Sequence, residues 1–214
     1  PPRSTLFPYT TLFRSAGVET PNGFIAADFV INAAGLHADE VSRTAGDDSF
    51  HIHPRRGEYI LFDKAVGTLV RSVIFPTPTK ISKGILVSPT VHGNLFIGPN
   101  AEDLSDKDDH ATSKTGLEEL IQSARRLVPG IPTQAAITQF AGLRAVADSG
   151  DFVIRPSQQA KGLIQAAGIQ SPGLTAAPAI AEMVVEILRD EGMELTPKVS
   201  FVPVNPPKTV FHKL

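Results

Sequence analysis

The segment Ala166–Leu188 runs from a loop marked by glycine and proline straight into an amphipathic helix, and no other stretch constrains the fold as strongly. Glycine permits positive φ and close backbone approach, so the first N–H groups of the helix are left free. Those donors, together with the positive end of the helix dipole, favour an anion or a developing negative charge. The sequence therefore predicts a binding loop at the start of this helix.

The helix is predicted by the spacing of its apolar residues, which fall at i, i+3, i+4, i+7 and i+8: Ile180, Met183, Val184, Ile187 and Leu188. We expect Thr175 to be its N-cap, Pro178 to lie in its first turn and Gly192 to end it. Spacing alone favours the simplest interpretation, a helix that only covers a sheet. A similarity to known proteins favours a ligand-binding role for this segment instead.

The string AGIQSPGLTAAPAIAE resembles the last flavin-contacting segment of FAD-dependent oxidoreductases of the D-amino-acid oxidase superfamily. Its nearest likeness is to the branch of glycerol-3-phosphate dehydrogenase and L-2-hydroxyglutarate oxidase. Residues 27–42, ADFVINAAGLHADEVS, resemble the family's strand and small-residue turn near the FAD. Residues 54–64 and 140–154 resemble segments of its substrate domain. The likeness covers about residues 17–195, most of the chain.

The resemblance implies an FAD cofactor, with hydride passing from a carbon that bears OH or NH to flavin N5. The amides of residues 173–175 would stabilise the negative N1–C2=O region of reduced flavin. It does not identify the electron acceptor. The positions implied to contact the cofactor are Ala34, Gly35, Gly142, Gly168, Ile169, Ser171, Pro172, Gly173, Leu174 and Thr175.

Arg144 is the candidate for substrate recognition. In the family that the sequence Gly142-Leu143-Arg144 resembles, an arginine at this position holds the carboxylate or phosphate of the substrate. A guanidinium stays charged at all working pH values, and its planar fork matches an oxyanion bidentately. Without the likeness, a surface or salt-bridged arginine would be the simpler interpretation. The expected partner is therefore a small anionic substrate.

A second constellation lies around residues 51–59. Because neighbouring residues on a strand face opposite sides, at most one of Arg55 and Arg56 points towards the site. Arg56 and Tyr59 are the candidates for substrate binding. His53 is the candidate catalytic base, with an ordinary solvent-facing histidine as the alternative. His51 shares its strand face, but no third ligand is nearby and we expect no metal.

Charge and composition exclude several classes. A formal net charge of −2 without a basic cluster argues against nucleic acid or an anionic membrane as the main partner, although peripheral membrane contact is left open. The absence of cysteine rules out disulfides and cysteine-ligated clusters within this chain and fits a cytoplasmic protein. No apolar run approaches the roughly 20 residues that span a bilayer.

The predicted fold combines α/β and α+β features: a partial, Rossmann-like FAD-binding domain with an inserted, mainly antiparallel substrate-binding domain. We expect the first at 16–48 and 160–195, the second at 49–159 and an extended tail at 196–214. Expected strands include 24–32, 51–62, 72–78, 137–147, 152–156 and 162–167, with helices at 37–45 and 114–127. The acidic run Glu102–His110 lacks the spacing of a calcium loop and is interpreted as a solvated connector.

Two features depart from the family pattern. Residues 1–15 show no helical or clean strand pattern and are similar to translated sequencing-adapter sequence, so we interpret them as foreign to the fold. No GxGxxG pattern precedes the strand near residue 30, so we expect these 214 residues alone to bind FAD weakly or not at all.

The sequence predicts a FAD-dependent dehydrogenase or oxidase for a small anionic hydroxy acid or glycerol 3-phosphate. The alternatives to this function are an amino-acid or sarcosine-type oxidase, and a non-catalytic binding module derived from this fold.

Overall fold

The computed structural model describes residues 5–9, 14–77 and 84–202. Short 3₁₀ turns occur at Gly35–His37, Lys64–Val66 and Thr133–Ala135. The strands and α-helices are, in chain order, β1 (Thr5–Tyr9), β2 (Arg14–Thr20), β3 (Gly23–Ala26), β4 (Val30–Asn32), α1 (Ala38–Thr44), β5 (Ile52–Phe62), β6 (Leu86–Pro89), β7 (Leu95–Gly98), β8 (Glu102–Asp103), α2 (Lys114–Leu127), β9 (Ala136–Ala147), β10 (Val153–Pro156), β11 (Leu163–Ala167) and α3 (Gly173–Asp190).

The larger sheet has the order β6-β7-β5-β8, and β9 also pairs antiparallel with β5 from Ile52↔Ala147 to Phe62↔Ala136. Helix α2 covers one face, where Leu120 and Ala124 pack with Phe62 in a buried cluster. Alternate residues of β5 are buried on that side, while the intervening ones are partly exposed on the other. The second face is therefore open to a ligand. The prediction of a mainly antiparallel sheet is confirmed.

The smaller sheet has the order β10-β11-β4, with β4 and β11 parallel and β10 antiparallel to β11. Helix α3 lies on it through a cluster that joins Ile164 and Ala166 to Ile180, Val184 and Leu188. Residues 153–156, assigned above to the inserted domain, thus belong to this sheet. The chain returns to the smaller sheet before residue 160, earlier than expected.

A third sheet joins β1, β2 and β3 in that order. Strand β1 pairs antiparallel with β2, although residues 1–15 show no clean strand pattern in the sequence. The single strand expected at 24–32 is wrong, because β3 and β4 are separate and pair in different sheets. Ile31 is exposed on β4.

Most other elements match the sequence prediction. Helix α2 occupies the predicted residues, and Ser113 caps it by accepting a hydrogen bond from the Gly116 amide. The turn at His92–Asn94 closes the β6–β7 hairpin, with Gly93 at φ +87°. The strand expected at 72–78 is reduced, within the residues described, to an isolated bridge between Ile74 and Val87. Nowhere in 5–9, 14–77 and 84–202 is a helix long and apolar enough to cross a membrane.

Helix α3 begins earlier than predicted. Its N-cap is Pro172, and the Thr175 hydroxyl, instead of capping the helix, donates to the Pro172 carbonyl at 2.8 Å. Pro178 consequently lies beyond the first turn. Gly192 ends the helix as predicted: it has φ +91°, and its amide and that of Met193 bond back to the last turn of the helix. Met183 was placed on the buried stripe but is 46% exposed.

The acidic run is exposed along most of its length, as a solvated connector would be, but its carboxylates also pair with arginines of β5, which was not predicted. Asp103 accepts two hydrogen bonds from the Arg55 guanidinium, one of them at 3.0 Å. Glu102 and Asp109 accept from Arg56 at 2.6 and 3.2 Å. The run is therefore an ordered strap bound to β5. Its carboxylates are used as partners of strand arginines, which a count of acidic residues does not reveal.

Lys107 attaches the same strap to α1. Its Nζ donates to the buried Asp39 at 2.6 Å and lies 3.3 Å from Glu40. Burial alone would raise the pKa of Asp39, but the Lys107 hydrogen bond and the Ile52 amide outweigh it and hold that pKa below 3.8. The ion pair thus joins the strap of the larger sheet to the helix that follows β4.

Lys107→Gln is expected to lower the free energy of unfolding at pH 7 by about 1–3 kcal/mol, because a buried carboxylate loses its cation. The folded pKa of Asp39 is depressed, so its stabilisation is present above the ordinary value of 3.8 and is lost as pH falls through the folded value. Urea unfolding at pH 7 and near pH 3 should show a smaller acid-induced loss in the variant. Lys114→Gln, at an exposed ion pair, is the matched control, and an equal effect there would contradict this role.

Candidate functional site

A cavity of about 790 Å³ opens between β9 of the larger sheet and the segments that follow β4 and β11 of the smaller sheet. Three segments line it: Gly35 and Leu36 after β4, residues 143–145 of β9, and residues 169–175 at the start of α3. Of the residues predicted to contact a cofactor, these include Gly35, Ile169 and the run 171–175. Ala34 and Gly168 adjoin the lining, and Gly142 lies one residue before it.

The first wall is held by a buried polar network. The Asn32 side chain donates to the Ala38 carbonyl at 2.7 Å and to the Gln165 side chain at 2.8 Å. Gln165 in turn donates to Ser42 and Asp47, at 2.8 and 3.2 Å. The network ties β4 and β11 to α1 and so fixes the turn at Gly35, which has φ +59°.

The second wall is the loop between β11 and α3. Gly168 has φ +65°, and a Cβ there would meet the Ala147 Cβ at 2.8 Å, so the loop lies directly on β9. The amide of Gly173 donates to the Gln170 carbonyl at 2.7 Å, and that of Thr175 to the Pro172 carbonyl at 3.1 Å. The Leu174 amide has no backbone partner among the residues described, and it is the one donor of the three predicted that is left for a ligand.

Gly168→Ala should destabilise the protein by about 2–4 kcal/mol, because left-handed strain adds to overpacking against Ala147. Gly150→Ala is the matched control: Gly150 has φ +77°, but nothing lies within 4 Å of its added Cβ. Chemical denaturation of both variants separates the clash from the strain. Equal losses would show that Gly168 is needed only for its backbone conformation.

Arg144 forms part of the cavity wall and stands directly opposite Arg55 across the β5–β9 ladder. Its Nη2 donates to the carbonyls of Arg56 and Asn100 at 2.9 and 2.8 Å, and its Nε to that of Arg55 at 3.3 Å. Burial, with the nearby Arg55 cation, lowers the pKa of Arg144 below its ordinary value, although the group stays charged near neutrality. Among the residues described, Nη1 has no hydrogen-bond partner. A fixed, partly desolvated cation at a cavity wall suits an anion.

Arg55, rather than Arg56, shares a face with Arg144. The Arg55 guanidinium is paired with Asp103, whose hydrogen bond raises the pKa of Arg55. His53 lies on the same face, with its Nε2 3.8 Å from Asp103, but outside the cavity lining. Asp103 is therefore shared by charged groups that border the site.

Arg56, predicted to bind substrate, lies on the opposite face of β5. Arg56 is 5% exposed, and its guanidinium donates to Glu102, Asp109 and the Ala111 carbonyl. Its Nε is buried and has no hydrogen-bond partner in the part of the chain that the structure describes. The structure does not bring Arg56 to the cavity. The alternation of β5 could have shown this, since Arg56 shares its parity with the buried Ile60.

Tyr59 belongs to an aromatic floor on the same sheet face as Arg144, but outside the residues that line the cavity. Its ring stacks on Phe140 at 5.1 Å between centroids and tilts against Phe96 at 6.1 Å. Between this floor and the arginines, Gly57 faces Gly142 across the ladder. A Cβ at Gly57 would lie 2.8 Å from Arg144 Nη2, whereas one at Gly142 would meet nothing within 4 Å. Gly57 leaves space for the guanidinium, and Gly142 keeps the face open.

Sequence reasoning missed the buried polar residues behind the site: Asn32, Glu58, Asn100 and Gln165. A signal was present for Gln165, the polar member of the otherwise apolar strand LIQAA. Glu58 shares the parity of the buried residues of β5, and that also could have been noticed. A search of the described ranges finds no group of three or more His, Asp or Glu residues placed to hold a metal.

Comparison with known proteins identifies the family. Residues 10–187 match the family model DAO, described as FAD dependent oxidoreductase. The chain belongs to the DAO family of FAD-dependent oxidoreductases. The match includes the end of the segment interpreted above as foreign, and that interpretation stays a prediction.

Relatives within the DAO family include enzymes of two substrate classes. The chain is 49% identical over 175 residues to the glycerol 3-phosphate dehydrogenase of Caloramator mitchellensis, covering 82% of this chain and 36% of that protein. It is 30% identical to the glycine oxidase of Pseudomonas putida, covering 82% of this chain and 45% of that protein. The chain therefore spans less than half the length of these relatives.

A solved DAO-family structure shares the fold. The dithionite-reduced, FAD-bound L-α-glycerophosphate oxidase of Mycoplasma pneumoniae superimposes with a TM-score of 0.75 at 32% identity, covering 86% of this chain and 48% of that one. The residues of the present cavity fit the ring end of such a cofactor. The turn at Gly35, the close packing of Gly168 and the open Leu174 amide provide backbone approach and one donor.

Proposed function

We propose that this chain forms the flavin-ring and substrate side of a FAD-dependent dehydrogenase or oxidase for a small anionic hydroxy compound, with glycerol 3-phosphate as the first candidate. The observation that carries the proposal is the cavity itself. It is bounded on one side by the open amide of Leu174 at the N-terminus of α3 and on another by the Arg144 guanidinium. One wall suits an electron-rich ring edge, and the other suits an oxyanion.

FAD, when bound, supplies a two-electron acceptor for the hydride that leaves the substrate carbon. The chain would hold its ring through Gly35, residues 168–175 and the open face at Gly142. The Leu174 amide and the α3 dipole place partial positive charge where negative charge develops, and this arrangement needs no reorganisation during the reaction.

Arg144 would orient the substrate. Three backbone carbonyls hold its Nε and Nη2, so the remaining Nη1 donors are presented without a large loss of side-chain entropy on binding. The aromatic floor of Tyr59 and Phe140 gives the carbon skeleton an apolar surface. Charge at one end and an apolar surface beside it would select a small anionic molecule.

His53 is the proposed acceptor of the hydroxyl proton. It stands on the same face of β5 as Arg55 and Arg144, and its Nε2 lies 3.8 Å from Asp103. His51 is a natural comparison, since it is near in sequence, exposed and outside the β5 ladder. His53→Gln should slow reduction of the flavin by substrate, while His51→Gln should leave the rate unchanged.

The proposal is tested by anaerobic reduction of bound flavin in the full-length polypeptide that contains these residues. Glycerol 3-phosphate, L-2-hydroxyglutarate and glycine are compared by the loss of flavin absorbance. Bleaching by glycerol 3-phosphate supports the proposal. Bleaching by glycine alone would favour the amino-acid oxidase alternative, which the 30% identity to a glycine oxidase supports. Flavin that stays oxidised with all three would favour a binding module.

A further inference from the structure

The orientation of Arg144 depends on a residue outside β5 and β9. Two of the carbonyls that accept its hydrogen bonds, those of Arg55 and Arg56, belong to β5 and are held by the ladder. The third belongs to Asn100, between β7 and β8, and accepts from Nη2 at 2.8 Å. Nη2 is therefore held by one carbonyl that the β5–β9 ladder fixes, that of Arg56, and by one outside the ladder, that of Asn100.

The Asn100 side chain holds that carbonyl in place. Asn100 is 4% exposed, and both ends of its amide bond to Glu58. Its Oδ1 accepts from the Glu58 amide at 2.8 Å, and its Nδ2 donates to Glu58 Oε2 at 2.6 Å. Two bonds to one residue of a central strand leave the loop at residue 100 little freedom.

Glu58 is itself fixed by helix α2. It is fully buried, and its Oε1 accepts a hydrogen bond from the Ser113 amide at the N-cap of the helix. The N-terminal dipole of α2 favours this carboxylate. A continuous series of hydrogen bonds thus runs from α2 through Glu58 and Asn100 to the guanidinium of Arg144.

We propose that Asn100 is a positioning residue that sets the orientation of Arg144, with Glu58 as its anchor. The proposal rests on the proposed function, in which Arg144 binds the substrate anion. Without the Asn100 side chain, residue 100 is no longer tied to β5, and Nη2 loses an acceptor. Anion binding then weakens, while the walls that hold the flavin ring are unchanged.

The first test compares Asn100→Ala with Asn94→Ala in the flavin-loaded, full-length protein. Asn94 also donates its side-chain amide to a backbone carbonyl, that of Phe62 at 2.9 Å, but it lies in the β6–β7 hairpin. Asn100→Ala should raise the KM for glycerol 3-phosphate and the Kd of inorganic phosphate, a dead-end anion, by about tenfold to a hundredfold. The flavin content and the rate of reduction at saturation should change little. Asn94→Ala should leave both constants unchanged.

A double variant that exchanges the carboxylate and the amide distinguishes a loss of positioning from a folding defect. Asn100→Asp alone sets two carboxylates against each other and should weaken phosphate binding at least as much as Asn100→Ala. Adding Glu58→Gln restores one carboxylate and one amide, with donor and acceptor exchanged, and keeps an oxygen for the Ser113 amide. The double variant should recover most of the wild-type phosphate affinity.

Wild-type phosphate affinity in Asn100→Ala, or no recovery in a folded double variant, would overturn the positioning role. Failure of the proposed function is distinguishable, because Arg144→Ala would then leave phosphate affinity unchanged as well. If Arg144→Ala weakens phosphate binding and Asn100→Ala does not, only the positioning role fails.

Discussion

Arg144→Ala is expected to raise the KM for the anionic substrate by about tenfold to a hundredfold. A hydrogen bond to a charged group contributes about 1.5–3 kcal/mol, and each 1.4 kcal/mol is a factor of ten. The guanidinium lines the cavity and is partly desolvated, so its attraction for an anion is screened less than that of a surface arginine. Steady-state kinetics with glycerol 3-phosphate, at known flavin content, measures the effect.

Two further variants define the result. Arg126→Ala, in the last turn of α2, removes an exposed arginine and should leave the KM unchanged. Arg144→Lys keeps the charge but loses the planar fork, and it should recover only part of the lost affinity. An unchanged KM in Arg144→Ala would show that the anion binds elsewhere.

Gly116→Ala is expected to lower the free energy of unfolding by about 3–5 kcal/mol, the loss typical of a buried charge separated from its partners. An added Cβ at Gly116 would lie 1.5 Å from Glu58 Oε2. The carboxylate would have to move away from the Ser113 amide and from Asn100. Urea denaturation measures the change, and thermal unfolding should shift down by at least about 6 °C.

The predicted loss of stability is opposite in sign to the effect expected from helix propensity. Alanine is the better helix former by about 1 kcal/mol, so helix propensity alone predicts that the substitution in α2 stabilises the protein. Gly130→Ala is the control, because nothing lies within 4 Å of its added Cβ. A neutral or stabilising Gly116→Ala would contradict the buried position of Glu58.

Elements with a clear period were predictable from sequence. Helix α2 was located because its apolar residues recur at helical spacing. Strand β9 was located because it is long and apolar. The start of α3 was harder to predict, because Thr175 is a favoured N-cap type, whereas the helix begins directly after Pro172, which has no capping side chain.

The candidate site was predictable in its glycine-rich loops and less so in its charges. The loop 168–175 lines or adjoins the cavity as expected, since its composition and family likeness both indicate a ligand. The inward arginine could not be chosen by charge alone. It required the parity of β5, which places Arg55 beside Arg144 and Arg56 on the opposite, buried face.

Contacts between residues distant in sequence were not predictable at all. Lys107 meets Asp39 across 68 residues, and Asn32 meets Gln165 across 133. Each pair depends on how the sheets are arranged, which local patterns do not encode. The strap and the polar network behind the turn at Gly35 therefore appear only in the folded structure.

The most direct measurement is a crystal structure of the flavin-loaded, full-length protein with inorganic phosphate bound. We expect the flavin ring to lie in the cavity bounded by Gly35, Arg144 and residues 169–175, in contact with the Leu174 amide. We also expect the phosphate to bind Arg144. A flavin ring outside this cavity, or phosphate bound away from Arg144, would contradict the proposed site.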